Sequence, residues 1–353
     1  MDILDLLQKE YPEVYDRTQY HIIEISDRLV QEQQKRLKGK HPCVKIEHKS
    51  IFHWKKREPA PCFFVAMEVI VSFFELNFFR VLFYFLQDNF AHDLVRYDLS
   101  TMRPYQGLVT IDNNGDFDTI YSPVTDPLIK SFLNMRRILK HPPAINRLLR
   151  SSETLRKIYR SLPFAPNLSP AEYVPTRLLN LVRTLRTYFP HHRLLLSDFS
   201  SLPDTISGVN APVVQIRFRN VTVPCTTLLV KQGYFDIFFP TNFEHLRDMY
   251  EYTFSQPLLD LDDDSQLNRI TPLTSTATSF SLGAGYFSSY QPNNRRVPID
   301  GVTSASGLPI GERKSSVFSH SRFLETYAEL EKTRLRNGEN PMLDFYKNVK
   351  FLF

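Results

Sequence analysis

The chain has 353 residues, 42% of them hydrophobic and 23% charged, with a formal net charge of +5 at pH 7. The composition is that of a globular protein, and the mild charge falls well short of the clustered basic surface of a nucleic-acid binder, so we expect no nucleic-acid partner. Three widely separated cysteines (Cys43, Cys62, Cys225) form no CxxC pair. They argue against a disulfide framework or a zinc site and favour a reducing compartment.

The N-terminal part of the chain predicts alternating strands and helices. The apolar run Tyr20–Ile25, with Glu24 near its end, is typical of a buried parallel strand. Ser26 and Asp27 can cap the helix that follows. Further strands are predicted over Val44–Phe52 and Cys62–Ala66, and the second is followed by Glu68. Strands with acids at their carboxyl ends, separated by a helix, indicate a doubly wound α/β sheet.

The middle of the chain predicts a hairpin, two helices and more strands. The turn Asn113-Asn114-Gly115 divides the run Gly107–Tyr121 into two strands. The other expected strands are Leu94–Leu99, Leu194–Phe199, Val213–Phe218 and Thr226–Phe239. The expected helices are Pro127–Arg160, Pro175–Phe189 and Phe243–Tyr252.

The composition divides the chain into three parts. Residues 1–255 form the α/β domain, and 256–319 are a polar segment that we expect to be flexible. Residues 320–353 form a C-terminal α/β extension, whose helix (Ser321–Arg336) and tail are expected to pack back on the domain.

One apolar stretch, Val71–Gln87, does not fit this pattern. Val71-Ser72 can be encoded by a splice-donor sequence, Leu86-Gln87 can end in a splice acceptor, and T-rich intron sequence translates into Phe and Leu. We therefore interpret the stretch as a translated intron, whose removal would join Ile70 to Asp88. A buried hairpin helix and a membrane anchor are the alternatives, although Glu75, Asn77 and Arg80 argue against a lipid-facing helix.

With that join made, the chain resembles the MidA-like family of class I S-adenosylmethionine-dependent methyltransferases, whose mitochondrial members include a complex I assembly arginine methyltransferase. Met1–Leu4 looks like the end of the family's glycine-rich loop and the helix after it. Tyr20–Ser26 resembles the next strand, Ala66–Ile70 with Asp88 resembles an Ala-Asn-Glu-x-Phe-Asp motif, and Gly338–Met342 resembles the tail of fungal-type members. The resemblance implies a Rossmann-like sheet that here lacks its first strand and glycine loop.

The resemblance also implies roles for three acids. Glu24, at the end of the second strand of such a sheet, would accept hydrogen bonds from the ribose hydroxyls of S-adenosylmethionine. Glu68 and Asp88 would hold a guanidinium substrate at the catalytic site by charge-assisted hydrogen bonds. A solvated strand-end acid is the alternative for Glu24, and a structural cap at the strand end is the alternative for Glu68 and Asp88. Met67 stands where the family has an amide, which puts catalysis in doubt.

Other chemistry is not indicated by the remaining polar residues. The histidines His21, His92, His191 and His192 show no ligand spacing, so no metal site is expected, and His191-His192 fits an exposed loop. Ser197 lacks a nucleophile elbow, and Asp198-Phe199-Ser200 can replace the family's Asp-Tyr-Gly. Four arginines of the predicted helix are expected to form a solvated face: Arg147, Arg150, Arg156 and Arg160.

The chain has no Gly-x-Gly near its first strand, so we expect an incomplete methyltransferase domain that is inactive and neither folds stably nor binds cofactor as given. Residues 1–5 resemble neither a signal nor a transit peptide, so any address would lie upstream. At family level we expect a mitochondrial protein-arginine methyltransferase acting on a protein substrate, possibly a respiratory complex subunit, without integral membrane insertion. A non-catalytic assembly factor that retains the fold and binds a partner protein is the alternative.

Overall fold

The computed structural model describes residues 2–37, 39–67, 82–86, 91–219, 221–231, 233–255 and 315–353, with only the backbone given for 82–86. Glu68, Asp88, most of Val71–Gln87 and most of 256–319 therefore lie outside the described residues.

The strands of the described residues are, in chain order, β1 (Gln19–Glu24), β2 (Val44–His48), β3 (Cys62–Met67), β4 (Leu82–Leu86), β5 (Asp93–Tyr97), β6 (Pro104–Ile111), β7 (Phe117–Pro123), β8 (Glu172–Val174), β9 (His192–Phe199), β10 (Val213–Phe218), β11 (Val221–Cys225), β12 (Asp236–Phe238), β13 (Val317–Ser319) and β14 (Val349–Leu352).

The helices of the same ranges are α1 (Asp2–Glu10), α2 (Pro12–Tyr15), α3 (Asp27–Leu37), α4 (Pro127–Ile138), α5 (Arg147–Ser151), α6 (Glu153–Ser161), α7 (Thr176–Tyr188), α8 (Phe243–Ser255), α9 (His320–Tyr327) and α10 (Pro341–Asp344).

A seven-stranded sheet in the order β13-β14-β9-β3-β4-β1-β2 forms the centre of the domain. The five strands from β9 to β2 pair in parallel, whereas β14 runs antiparallel to β9 and β13 antiparallel to β14. Parallel strands with helices on both faces confirm the predicted α/β class. The parallel pairing also brings the carboxyl ends of β1, β3 and β9 to one edge of the sheet.

The two faces of this sheet are buried by alternating side chains of the same strands, because successive residues of a strand point to opposite faces. Phe64 and Leu196 belong to the core that includes Leu179 of α7 and Phe243 of α8. Their neighbours Val65 and Leu195 belong to a second core on the opposite face. That core also includes Leu4 and Leu7 of α1 and Phe323 of α9. The near-continuous apolar runs of β3 and β9 follow from this two-sided burial.

Two smaller sheets flank the main one. The antiparallel sheet β7-β6-β5-β8 has its own core, which includes Val95, Ile129 and Val174 and is closed by α4. A buried ion pair fixes α4 here, with Arg136 Nη1 2.6 Å from Glu172 Oε1 and Arg136 Nη2 bonded to the Tyr97 hydroxyl. The second sheet, β11-β10-β12, lies after β9 in the chain.

The central position of the main sheet is occupied by a segment for which the sequence predicted no strand. Leu82–Leu86 of the apolar stretch lies there, between β1 and β3. Five residue pairs join it to each neighbour, all in parallel. The predicted hairpin helix is not seen in residues 82–86, which form strand β4. The translated-intron interpretation of Val71–Gln87 stays a prediction, and so does the predicted absence of the family's own first strand and glycine loop.

Five elements also differ from the sequence prediction. The helix predicted over Pro127–Arg160 is three helices, of which the first two are separated by Pro142 and Pro143 and the last two by the extended residue Ser152. β2 ends at His48, and the helix predicted over Ser321–Arg336 ends at Tyr327. Of the strand predicted over Thr226–Phe239, only β12 is a strand, and β13 forms at the end of the segment expected to be flexible.

Candidate functional site

Glu24 is the last residue of β1, at the carboxyl edge of the sheet. The chain leaves the strand there and enters α3 three residues later. Ser26 shapes this turn, because its Oγ accepts the Leu29 amide at 3.4 Å and its carbonyl accepts the Val30 amide at 2.9 Å. The turn fixes the direction of the Glu24 side chain through a second contact, from the Ser26 amide to Glu24 Oε1 at 2.8 Å.

The second carboxylate oxygen of Glu24, Oε2, is the atom that indicates a ligand. The residue is only 2% exposed, and its Oε2 is buried with no hydrogen-bond partner among the described residues. A buried acceptor without a donor costs free energy of roughly 1–3 kcal/mol, more if it is charged. The Ser26 amide holds one oxygen of the carboxylate in place, and the other oxygen still lacks a donor in the described part of the chain. A ligand that bears hydroxyl groups can supply that donor.

The two acids predicted to be catalytic, Glu68 and Asp88, lie outside the described residues. The structure does describe the strand that precedes Glu68. Met67, the last residue of β3, pairs with Ser197 of β9 at the same edge of the sheet as Glu24. β3 and β1 are separated by β4 alone, so their ends are roughly 10 Å apart at ordinary strand spacing. The proposed pairing of Glu68 and Asp88 stays a prediction.

The segment Asp198-Phe199-Ser200, at the end of β9, is tied to the C-terminal part of the chain. Asp198 Oδ1 accepts the Phe199 amide at 2.7 Å, and its Oδ2 accepts the Thr241 hydroxyl at 3.1 Å. The Ser200 hydroxyl donates to the Asn348 carbonyl at 2.8 Å. These contacts give the segment a structural role in holding β14 against β9.

A cleft of about 600 Å³ opens beside this strand end. It was missed from the sequence because its lining combines one loop with the four consecutive strands β9 to β12, whose arrangement in space no local pattern predicts. Its walls are largely apolar, with three polar side chains among them, as in ordinary ligand clefts. The lining residues are Phe199, Leu202, Pro203, Asp204, Val213, Gln215, Thr222, Pro224 and Phe238.

His192 corrects an expectation from the sequence. It was placed in an exposed loop, but it is the first residue of β9 and is fully buried. Its Nδ1 lies 2.7 Å from the Phe189 carbonyl and its Nε2 lies 3.0 Å from the Tyr250 hydroxyl. Burial lowers the pKa of His192 to about 4, since the charged ring would be desolvated. The neutral ring therefore acts as a core hydrogen-bond bridge.

The described residues contain no group of three or more His, Cys, Asp or Glu side chains arranged to hold a metal ion. None of the helices in these ranges combines the length and the apolarity that a membrane crossing needs.

Comparisons with known proteins point to one family. A methyltransferase family described as S-adenosyl-L-methionine-dependent matches residues 1–73 and 85–258. The unmatched residues 74–84 fall inside the apolar stretch Val71–Gln87. The Schizosaccharomyces pombe protein named "Protein arginine methyltransferase NDUFAF7 homolog, mitochondrial" is 26% identical over 219 residues, which are 61% of this chain and 44% of that protein.

Two solved structures from Burkholderia thailandensis are similar at 12% identity over 66% of this chain. One is an uncharacterised protein, with a TM-score of 0.38 and 49% of its chain covered. The other is a superfamily member described as a likely methyl transferase bound to S-adenosyl-homocysteine, with a TM-score of 0.37 and 48% covered. The chain thus spans about half the length of the relatives it matches.

Proposed function

The chain belongs to this family of S-adenosyl-L-methionine-dependent methyltransferases, and on that premise we propose that Glu24 is the acid that receives the ribose hydroxyls of the cofactor. The observation that carries the proposal is the buried Glu24 Oε2 without a hydrogen-bond partner. A carboxylate accepts several hydrogen bonds at once, and two neighbouring ribose hydroxyls are both donors. The Ser26 amide on Oε1 keeps the carboxylate oriented while they bind.

The other part of a cofactor site, a glycine turn, has no counterpart ahead of β1 in this chain, whose first glycine is Gly39, after α3. Glycine turns let backbone amides approach a nucleotide closely. From the sequence alone we expected no cofactor binding without that turn. The Glu24 carboxylate adds a contact for the ribose end, so we propose that the 353-residue chain binds S-adenosylmethionine only weakly, with a dissociation constant on the order of 0.1 mM or weaker.

For the substrate side we propose a protein arginine, as the name of the yeast relative suggests. When bound, the cofactor supplies an electrophilic methyl group, so the protein mainly has to align the nucleophile. Glu68, which follows β3, and Asp88, which follows β4, would hold the guanidinium by paired hydrogen bonds and orient one nitrogen. The cleft beside Phe199 opens at the same edge and would take an apolar part of the substrate protein.

The proposed location of this chain and its proposed partner rest on its similarity to the same yeast relative. We propose a mitochondrial protein whose substrate is a protein such as a respiratory complex subunit. The support is the name of the yeast relative together with the family match, and the experiment is co-purification of the tagged chain from fractionated mitochondria. Recovery only from another compartment would contradict the placement.

Calorimetric titration of S-adenosylmethionine to millimolar concentration tests the Glu24 role. Glu24→Gln keeps the side-chain shape but removes the charge, and loss of charge-assisted hydrogen bonds worth about 1.5–3 kcal/mol weakens binding about tenfold or more. Glu47→Gln, on the neighbouring strand β2, is the matched control and should leave binding unchanged. Equal affinity of Glu24→Gln and the unaltered chain would refute the role.

The alternative is a non-catalytic binding protein that retains the fold. Met67 in place of an amide favours it. The two functions separate in one assay, because a binding protein shows no S-adenosylmethionine-dependent heat at millimolar concentration. That result would overturn the cofactor proposal for this chain.

A further inference from the structure

The segment Arg147–Phe164, which we call the outer arm, lies on the surface of the protein beside the core of the β5–β8 sheet. It comprises α5, α6 and the three residues after them, and neither helix has a buried residue. Five large apolar side chains of the arm are exposed: Leu148 (63%), Leu155 (40%), Ile158 (55%), Leu162 (53%) and Phe164 (104%). Single exposed apolar residues are ordinary, but five within eighteen residues mark an interaction surface.

The arm is attached to the protein by its other side. Leu149 and Tyr159 pack against the core of the β5–β8 sheet. Arg156 joins the two helices, since its Nη1 lies 2.9 Å from the Leu149 carbonyl and 3.3 Å from the Arg150 carbonyl. The Asn146 and Ser152 side chains cap the helices. Because these contacts already hold the arm, its exposed apolar residues are not needed to attach it.

The exposed residues are arranged as an amphipathic surface. Leu155, Ile158 and Leu162 are spaced three and four residues apart, which places them on one stripe of α6 and its C-cap. Phe164 follows with a φ of +63°, a conformation that is rare for a bulky residue. This strained backbone holds an aromatic ring in full contact with water, which argues that the ring has a binding partner.

The charge of the arm identifies the partner. The arm carries five basic side chains and one acidic side chain, Glu153, which pairs with Lys157 at 2.9 Å. The basic residues are Arg147, Arg150, Arg156, Lys157 and Arg160. Apolar and aromatic residues on one stripe, with arginine and lysine beside them, are the composition of helices that lie in the surface of an anionic membrane.

We propose that the outer arm docks this protein on an anionic lipid bilayer, with the apolar stripe in the headgroup region and the exposed basic residues Arg147, Lys157 and Arg160 on the lipid phosphates. A second copy of the chain fits less well, because a two-fold contact would set the same cations against each other. Nucleic acid fits less well too, because phosphates would leave the leucine, isoleucine and phenylalanine side chains in water. The proposal is independent of methyl transfer.

Vesicle flotation of the full chain tests the proposal with two lipid compositions, phosphatidylcholine alone and phosphatidylcholine with about one third anionic phospholipid. We expect binding to the anionic vesicles, weakened by salt, and at least tenfold weaker binding to the neutral ones, since each basic residue near the surface contributes roughly fivefold. Ile158→Asp and Arg160→Glu should each reduce binding, by loss of apolar burial and of charge respectively.

Two matched controls change equally exposed positions elsewhere. Val109→Asp alters a 62% exposed apolar residue of β6, and Arg217→Glu alters an exposed cation of β10. Both should leave flotation unchanged, and circular dichroism should show every variant folded, because all four sites are exposed. Absence of flotation with anionic vesicles, equal flotation with neutral ones, or a chain dimer that Ile158→Asp dissociates would each overturn the proposal.

Discussion

Strand β4 gives the most demanding prediction about this fold. Tyr84 is at its centre and is paired on both sides, with His21 of β1 and with Phe64 of β3. Proline at this position has no amide hydrogen for the ladder, and its ring crowds the neighbouring backbone, so central strands do not tolerate it. We therefore expect Tyr84→Pro to destabilise the whole sheet.

The magnitude follows from the two ladders. Losing one backbone hydrogen bond and leaving its partner carbonyl buried costs roughly 1–3 kcal/mol, and distortion of the strand adds to this. Each ladder joins five residue pairs. At about 1 kcal/mol for each pair, deletion of the strand removes on the order of 10 kcal/mol, which is comparable to the whole stability of a typical domain. Tyr84→Pro is expected to cost about 3 kcal/mol, and removal of residues 71–87 to unfold this chain.

Urea unfolding followed by circular dichroism measures both effects. The matched control is Thr119→Pro in edge strand β7, where the amide already bonds to the Asp118 side chain at 2.7 Å. We expect a much smaller loss there. If the chain without residues 71–87 unfolds at the same urea concentration as the full chain, the central placement of β4 is refuted.

Three further predictions concern buried groups. Arg136→Ala leaves the Glu172 carboxylate buried and unpaired and should cost about 3–5 kcal/mol, whereas replacing both residues by apolar ones should cost less in the same urea titration. Because burial lowers the His192 pKa to about 4, the unfolded chain binds the proton more readily, so stability should fall by up to about 3 kcal/mol as pH drops from 6.5 to 4. A smaller slope of stability with pH in His192→Phe checks this, and an unchanged slope contradicts it. Phe64→Ala, at a fully buried site, should cost about 3–5 kcal/mol, and a loss below about 1 kcal/mol would be inconsistent with the two-sided burial of β3.

The sequence predicted the elements that carry a strong local signal. The apolar run ending in Glu24, the Ser26-Asp27 helix start and the run of β9 were all recognised, because burial on both faces of a parallel sheet requires such runs. Glu24 was selected from its position at the end of a predicted strand and from the family resemblance. The structure adds that one of its oxygens is buried and without a partner.

Features that depend on distant parts of the chain could not be predicted. The stretch that contains β4 was interpreted as a translated intron, with a hairpin helix and a membrane anchor as alternatives, because its apolar composition does not by itself indicate a strand. His192 is polar and follows a turn, and only the core formed with α8 shows that it is buried. The Arg136–Glu172 pair and the cleft beside Phe199 are formed by residues of different elements that only the folded structure brings together. No local sequence pattern predicts either of them.

The central claim is that Glu24 binds the ribose of S-adenosylmethionine, and the Ser26 amide is its most direct reporter. This amide donates to Glu24 Oε1, so ribose binding at Oε2 should change its NMR chemical shift. We predict that titration with S-adenosylhomocysteine shifts the Ser26 amide resonance in the unaltered chain and not in Glu24→Gln. A Ser26 resonance that stays constant while other resonances respond to the ligand would contradict the account.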